Sequence, residues 1–368
     1  MKKLSVRDLD IKNKRVLLRV DFNVPFSDDG TIRDDSRIRA ALPTIQYILD
    51  QGAKLTVISH LGKSDASIEP CKKRLYELLG REDVTVLENL RHNKAEKDPD
   101  SNPEFAKELS THGDVFVNDA FGAAHRNHSS IVTICQYFPG KCAAGFLMEK
   151  EVDSLSPLVE NPARPFSAIV GGAKIDSKLG VLQTLQQRVD HLFIGGGMVF
   201  TIMKAIGSTI GNSIYDPALL EVVSQFIDEA QNLVLPEDIV IANQFSNGAE
   251  THIVGFEEGV PEGWQGMDIG PKTLEKWRPL LAKSKTIFWN GPMGVFEFPS
   301  FAKGTEGLAK MLAEMDSVRV VGGGDSGAAI STLNLNNKFT HISTGGGASL
   351  EFLEKGNLPG IDVLTNKF

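Results

Sequence analysis

Cysteine is scarce: three residues in 368, Cys71, Cys135 and Cys142, an odd number without CxxC spacing. That argues against a disulfide framework or a zinc knot and fits a reducing cytoplasm. Long apolar runs are missing as well. No stretch approaches the roughly 18 apolar residues of a membrane span, and Asp8, Asp10 and Lys12 interrupt the N-terminal segment where a secretory leader would be apolar. The expectation is a cytoplasmic protein, neither secreted nor membrane-bound. Positive charge is not in excess either: 39 Lys and Arg face 47 Asp and Glu, a net charge of −8, so no nucleic-acid partner is expected. The pattern GxxxxGK[ST] does not occur, which removes the Walker phosphate loop. Glycine, by contrast, is abundant at 35 residues, nearly one in ten where about 7% is usual.

At roughly 150 residues per domain, the length predicts two domains. Short, β-branched apolar runs recur: RVLLRV (15–20), KLTVIS (54–59), DVFVN (114–118), FSAIV (166–170), HLFIG (191–195), DIVIA (238–242), TIFW (286–289), VRVV (318–321) and FTHIS (339–343). They lack strict in/out alternation and read as buried strands. Between them lie stretches of helical period, among them SRIRAALPTIQYILDQG, with Ser36 as cap and Gly52 as stop, and DSKLGVLQTLQQRVD. Strand alternating with helix predicts an α/β fold of parallel sheets, in which ligands bind at the carboxyl ends of the strands. The segment 145–165, helix-like and closed by Asn-Pro and Arg-Pro, is the expected boundary.

The strand ends differ between the two halves. In the first half they carry Arg19, Asp21, Asn23, His60, Lys63, Arg91, His125 and Arg126, and Arg37 sits in the first turn of a helix, where a cation opposes the macrodipole. So many cations at one edge would repel unless an anion bound there, and guanidinium forks suit carboxylate and phosphate oxygens. His125 and His128 are three apart, but with no third ligand nearby a hydrogen-bonding role is expected over a metal. In the second half the strand ends carry glycine clusters: GGAK (171–174), GGGM (195–198), NGPMG (290–294), GGGD (322–325) and TGGG (344–347). Glycine there lets backbone N–H groups reach a phosphate, and Lys174 and Lys178 follow the first cluster, so a nucleotide is expected. GGGDSG (322–327) also satisfies GxGxxG, the dinucleotide fingerprint, yet no Asp or Glu stands about 20 residues on to hold a ribose. The Gly-Asp-Ser-Gly inside it lacks the His and Asp context of a serine protease. Asp325 is read either as a cap or as a ligand for Mg²⁺. Phe288 and Phe296 are expected in the core.

Longer segments carry a family likeness: RVDFNVP (19–25), DSRIRAALPTI (35–45), SHLG (59–62), LENLR (87–91), VNDAFGAAHRNHSS (117–130), GGAKIDSKLGVL (171–182), MDIGPKT (267–273), WNGPMGVFE (289–297), VVGGGDS (320–326) and ISTGGGASLEFLE (342–354). In this order they resemble the phosphoglycerate kinases, nearly end to end. The resemblance implies two doubly wound, Rossmann-like domains facing a cleft: 1–148 for 3-phosphoglycerate, with a C-terminal return over 350–368, a hinge helix and linker over 149–165, and 166–349 for the nucleotide. It implies reversible phosphoryl transfer between 1,3-bisphosphoglycerate with ADP and 3-phosphoglycerate with ATP, with Mg²⁺, by a cytoplasmic, hinge-bending monomer. Carried over by position, Asp21, Asn23, Arg37, His60, Lys63, Arg91 and Arg126 form the phosphoglycerate site. Gly172, Ala173, Lys174, Lys178, Gly195, Asn290, Pro292, Gly294, Val295, Glu297, Gly323, Gly324, Asp325 and Ser326 form the nucleotide site, with Glu297 on the ribose and Asp325 at the metal. Arg37 and Lys174 are the catalytic candidates.

Three positions depart from the family. Lys63 stands where the family usually has arginine, His92 where an aromatic residue usually follows LENLR, and the stretch 64–86 is shorter by about one strand and helix. Weaker substrate binding and a lost or rebuilt sheet edge are the expectations. A second reading, a nucleotide-binding relic without turnover that acts through a partner, follows from the same departures.

Overall fold

The structure, a computed structural model, describes residues 2–367 and divides into two compact units. The first runs to Ser156 and is completed by the chain from Lys355 onward; the second spans Pro157–Glu354. In the first unit five parallel strands, β1 (Arg15–Arg19), β2 (Lys54–Ile58), β3 (Thr85–Val86), β4 (Val115–Asn118) and β5 (Cys142–Ala144), lie in the order β3-β2-β1-β4-β5. Val16, Leu17 and Leu18 of β1 are all buried, as expected of a parallel strand covered on both faces. One face takes the helix Ser36–Asp50, whose Ile38, Ala41, Ile45 and Ile48 form its apolar stripe and pack with Val16, Leu18 and Val57. On the other, Phe116 stacks on Phe138 with ring centroids 5.8 Å apart. The start of that helix corrects the sequence reading. Ser36 is its first residue and Asp35 the cap, while the Asp34 carboxylate accepts the Ser36 N–H at 2.9 Å.

The shortened stretch 64–86 folds into one helix, Glu69–Leu79, and the two-residue edge strand β3, which pairs with β2 through Thr56↔Thr85 and Val57↔Val86. The edge is rebuilt rather than lost. Glu88 fastens it by accepting from the backbone N–H groups of Ile68 at 2.6 Å and Asn89 at 2.8 Å, and Tyr76 donates its hydroxyl to the Val84 carbonyl at 2.7 Å.

In the second unit the strands are β6 (Phe166–Val170), β7 (His191–Ile194), β8 (Leu233–Val234), β9 (Asp238–Ala242), β10 (Thr251–Gly255), β11 (Gln265–Ile269), β12 (Thr286–Asn290), β13 (Val318–Gly322) and β14 (His341–Ile342). Six form a parallel sheet in the order β14-β13-β12-β6-β7-β8. Its strand order reverses between β6 and β12, and the ends of those neighbours open the crevice that doubly wound sheets use for ligands. DIVIA corrects the expectation of parallel strands throughout. As β9 it lies in a separate antiparallel sheet, β10-β9-β11, because the short connection 243–250 returns the chain directly beside it. Phe193 meets Trp277 edge-on at 5.1 Å in the main core. Phe288 is fully buried, whereas Phe296 is only half-buried, since it belongs to the loop after β12. The units are joined through the helix Phe146–Glu160, within which the division falls, and through the return after Glu354. Asp119 caps that helix, accepting from the Met148 N–H at 3.0 Å, and burial pushes its carboxyl up to about 6. Among the described residues no helix is long and apolar enough to cross a membrane.

Candidate active site

In the first unit the ends of β1 and β2 bring cations and carboxylates together. Asp21, just past β1, holds the Arg37 guanidinium through Oδ2 and takes the Asn23 N–H at 3.1 Å through Oδ1. Gly122 makes room for this pair, since a Cβ there would lie 2.4 Å from Asp21 Oδ2. Burial alone would raise the Asp21 carboxyl, but the charges of Arg37 and Arg19 hold it below the usual range. His60, past β2, is nearly buried. Burial first, then the charges of Arg19, Arg91 and Arg126, push its imidazole down to about 3, against the opposing pull of Asp21, so the ring is neutral at physiological pH. Arg91 donates to the Gly62 carbonyl at 2.8 Å, and its Nε is buried with no acceptor among the described residues. Arg126 is exposed and lies close enough for its charge to be felt at Arg91.

The repulsion inferred from the sequence is thus partly balanced by protein carboxylates, Asp21 at Arg37 and the buried Glu96 beside Arg19 at 3.7 Å. What is left over is the unfilled donor capacity of Arg91, Arg126 and the rest of the Arg37 fork. Lys63 is exposed, and its carbonyl accepts from Asn89 Nδ2 at 2.9 Å and from the Ala66 N–H at 3.4 Å. His128 turns its Nδ1 to Glu96 at 3.6 Å. No group of three or more His, Cys, Asp or Glu able to hold a metal is found among the described residues.

In the second unit a cavity of about 1040 Å³ lies over the ends of β6 and β12. Three helices begin on it with glycine: Met198–Ala205 after Gly197, Gly324–Thr332 after Gly323, and Gly346–Lys355. Gly323 offers no side chain to cap its helix, so those first N–H groups remain for an anion, whereas at the helix after Gly197 the Met198 N–H is taken by the Gly172 carbonyl at 3.3 Å. The backbone is packed too tightly here for any other residue. Gly196, at φ +69°, would place a Cβ 2.5 Å from the Gly172 nitrogen. Lys178 donates to the Gly171 carbonyl; burial lowers its ammonium from the ordinary value, while Asp325, which lines the same cavity, pulls it back. The far end is apolar. Phe245, 62% exposed, stands 5.1 Å from Phe298, and Ile214, 50% exposed, adds a second wall.

Gly172, Ala173, Lys174, Lys178, Asn290, Pro292, Gly294, Val295, Glu297, Gly323, Gly324 and Asp325 all line this cavity. Gly195 and Ser326 stand behind it. The Gly195 N–H bonds the Val170 carbonyl at 3.0 Å, and buried Ser326 accepts the Gly291 N–H at 2.8 Å, fixing the turn after β12. The sequence reading missed Phe245, Ile214 and Asp268 in this unit and Glu96 in the other. Asp268 sits in the MDIGPKT segment, accepts the Gly304 N–H at 2.7 Å, and is pushed by burial up to about 7.

The chain matches the phosphoglycerate kinase family over residues 6–85 and 79–356, the match breaking at the shortened stretch. It is 47% identical to a phosphoglycerate kinase of Dictyoglomus turgidum, covering 99% of this chain and 98% of that one. The chain belongs to the phosphoglycerate kinase family. A second relative, from Thermosipho africanus, is 45% identical over 100% of this chain and 99% of its own. A solved phosphoglycerate kinase from Coxiella burnetii superposes with a TM-score of 0.85 at 37% identity, covering 98% of both chains. The two sequence alignments run over 396 and 402 positions, longer than the 368 residues here, so these relatives carry residues that this member lacks. This member of the family is accordingly a glycolytic phosphotransferase with a carboxyl group as acceptor, and nothing favours a relic without turnover.

Proposed function

We propose that the first unit holds the phosphoglycerate and the second the nucleotide in the family's reaction, reversible phosphoryl transfer between 1,3-bisphosphoglycerate with ADP and 3-phosphoglycerate with ATP. The observation that carries this division is the contrast in donors. The first unit offers guanidinium groups, with Arg91 Nε buried and unfilled; the second offers glycine-led helix starts around one cavity with an apolar end. A small carboxylate-bearing anion suits the first, a polyphosphate carrying a base the second. Phe245 and Ile214 would flank the base, Glu297 would take the ribose, and Lys178 with the helix starts would take the phosphates.

The acceptor in the ATP-consuming direction is a carboxylate, already ionised at neutral pH, so no general base is needed. Its oxygen attacks the γ-phosphorus, the bond from that phosphorus to the bridging oxygen breaks, and ADP leaves. Catalysis then rests on alignment and on charge around a loose phosphoryl group. Arg37, with one nitrogen on Asp21 and the rest of its fork unused, and Lys174, on the cavity wall, are assigned to the equatorial oxygens. Asp325 fits a Mg²⁺ that arrives with the nucleotide. One carboxylate beside a phosphate cradle is the usual protein share of such a site, because Mg²⁺ keeps waters and phosphate oxygens as its other ligands. When bound, the ion neutralises charge on the phosphates. Donor and acceptor on separate units require the units to approach each other, with the helix Phe146–Glu160 and the C-terminal return as hinges. The protein is read as a cytoplasmic monomer without nucleic-acid or membrane partners.

The test is phosphoryl transfer from MgATP to 3-phosphoglycerate by the purified chain in a coupled NADH assay, with Lys174→Ala as control. Turnover that Lys174→Ala abolishes supports the assignment; full turnover in the control removes Lys174 from it.

A further inference from the structure

Arg19 ends β1 with its side chain completely buried, so it cannot itself touch a substrate. Its Nε donates to Ser130 Oγ at 2.9 Å, one terminal nitrogen donates to the Val20 carbonyl, and the other lies 3.7 Å from Glu96 Oε1 and 3.1 Å from His60 Nδ1. Glu96, also fully buried, is secured by the Ser130 N–H at 3.1 Å and the Ser130 hydroxyl at 2.7 Å. A buried ion pair of this kind adds little stability over an apolar pair of similar volume, so its value lies in what it orients.

A guanidinium has only N–H donors, so the ring nitrogen facing it must be the one with a lone pair. The competing influence is Asp21, whose carboxylate would draw a proton onto Nδ1, but it lies 4.0 Å away, beyond hydrogen-bond reach, against 3.1 Å for Arg19. We propose that Arg19 is a positioning residue: braced by Glu96 and Ser130, it occupies the Nδ1 lone pair of His60 and so makes Nε2–H the group that His60 presents to phosphoglycerate. This rests on the reading of His60 as a phosphoglycerate residue. The neutral state of the ring agrees with it, because a second proton on Nδ1 would point at the guanidinium.

The test begins with the intact protein labelled with ¹⁵N-histidine, in which long-range ¹H–¹⁵N NMR reads the His60 tautomer, assigned by the signal missing from His60→Gln. The expected form is Nε2–H; an Nδ1–H ring overturns the proposal whatever the variants do. The second arm is the pair Arg19→Met with Glu96→Gln, which removes both buried charges together, and Arg19→Gln with Glu96→Gln, whose amide oxygen can accept from Nδ1–H, serves if that pair does not fold. Either change should bring in the Nδ1–H form and weaken 3-phosphoglycerate binding, by about tenfold for the pair, with MgADP binding unchanged by calorimetry. In a His60→Gln background, where the amide can stand in for Nε2–H, the same change should cost nothing further. An equal loss in both backgrounds would mean that Arg19 acts structurally. If the tautomer moves as expected but neither His60→Gln nor His60→Ala weakens 3-phosphoglycerate binding, the coupling of Arg19 to His60 stands and the substrate role of His60 falls.

Discussion

The two units meet the same task, holding a multiply charged anion, with different materials. The first uses side chains: Arg37 in the first turn of a helix and held by Asp21, Arg91 held by the Gly62 carbonyl, and the exposed Arg126, with Arg91 and Arg126 close enough to keep His60 neutral. The second uses main chain: a helix start left open after Gly323 and close glycine turns, with the half-buried Lys178 beside them. Side-chain charge tolerates sequence change around it, and the first unit is where the chain has lost a supersecondary element and rebuilt its sheet edge. Backbone donors permit no such freedom, because the turns that aim them are packed to within a Cβ of one another, as at Gly196 against Gly172.

The largest effect that would break this contrast is at the catalytic candidates. Arg37→Ala and Lys174→Ala should each lower kcat by roughly 100-fold or more with smaller changes in KM; a change confined to KM in steady-state assays would move that residue to ground-state binding. Phe245→Ala should weaken MgADP binding by about tenfold through lost stacking and leave 3-phosphoglycerate binding alone, which calorimetry with each ligand separately would check. Equal losses for both ligands would end the division of labour between the units.

His60 in the first unit and Asp268 in the second should respond to pH in opposite senses. Folded His60 takes up its proton only near pH 3, whereas the unfolded ring does so near 6.5, so the unfolded state binds more protons in between and stability falls as pH is lowered through that window. Asp268 in the second unit acts in the opposite sense. Its carboxyl is raised from 3.8 to about 7, so the stability linked to it is present below pH 3.8 and lost as pH rises towards 7. Urea unfolding at pH 4 to 7 should show His60→Gln losing less stability on acidification than the parent, by up to about 1.4 kcal/mol per pH unit, and Asp268→Asn losing less on going the other way. The smallest expected effect is at Lys63. If it touches substrate, Lys63→Arg tightens 3-phosphoglycerate binding by a few-fold, about 0.5–1 kcal/mol, in exchange for a bidentate fork; no change by calorimetry removes it from the site.

Much of this protein was decided by its sequence. Continuous apolar runs alternating with helical periods suit parallel sheets covered on both faces, and the glycine clusters at the strand ends suit turns that carry backbone to a ligand. These are local properties, set by residue type and spacing, and so they are legible one segment at a time. DIVIA shows the limit: its composition fits either kind of sheet, and the turn that follows it, not the strand itself, makes it antiparallel. The partners of the cations were likewise invisible. Glu96 lies 77 residues from Arg19 in the sequence and carries no motif, yet it is the carboxylate beside the Arg19 guanidinium. Phe245 reads as one more apolar residue until the fold leaves it exposed on a cavity wall. Burial, charge pairing and the tautomer of His60 depend on which groups the fold brings within a few ångströms. That distance is a property of the packed structure and not of any segment of the chain.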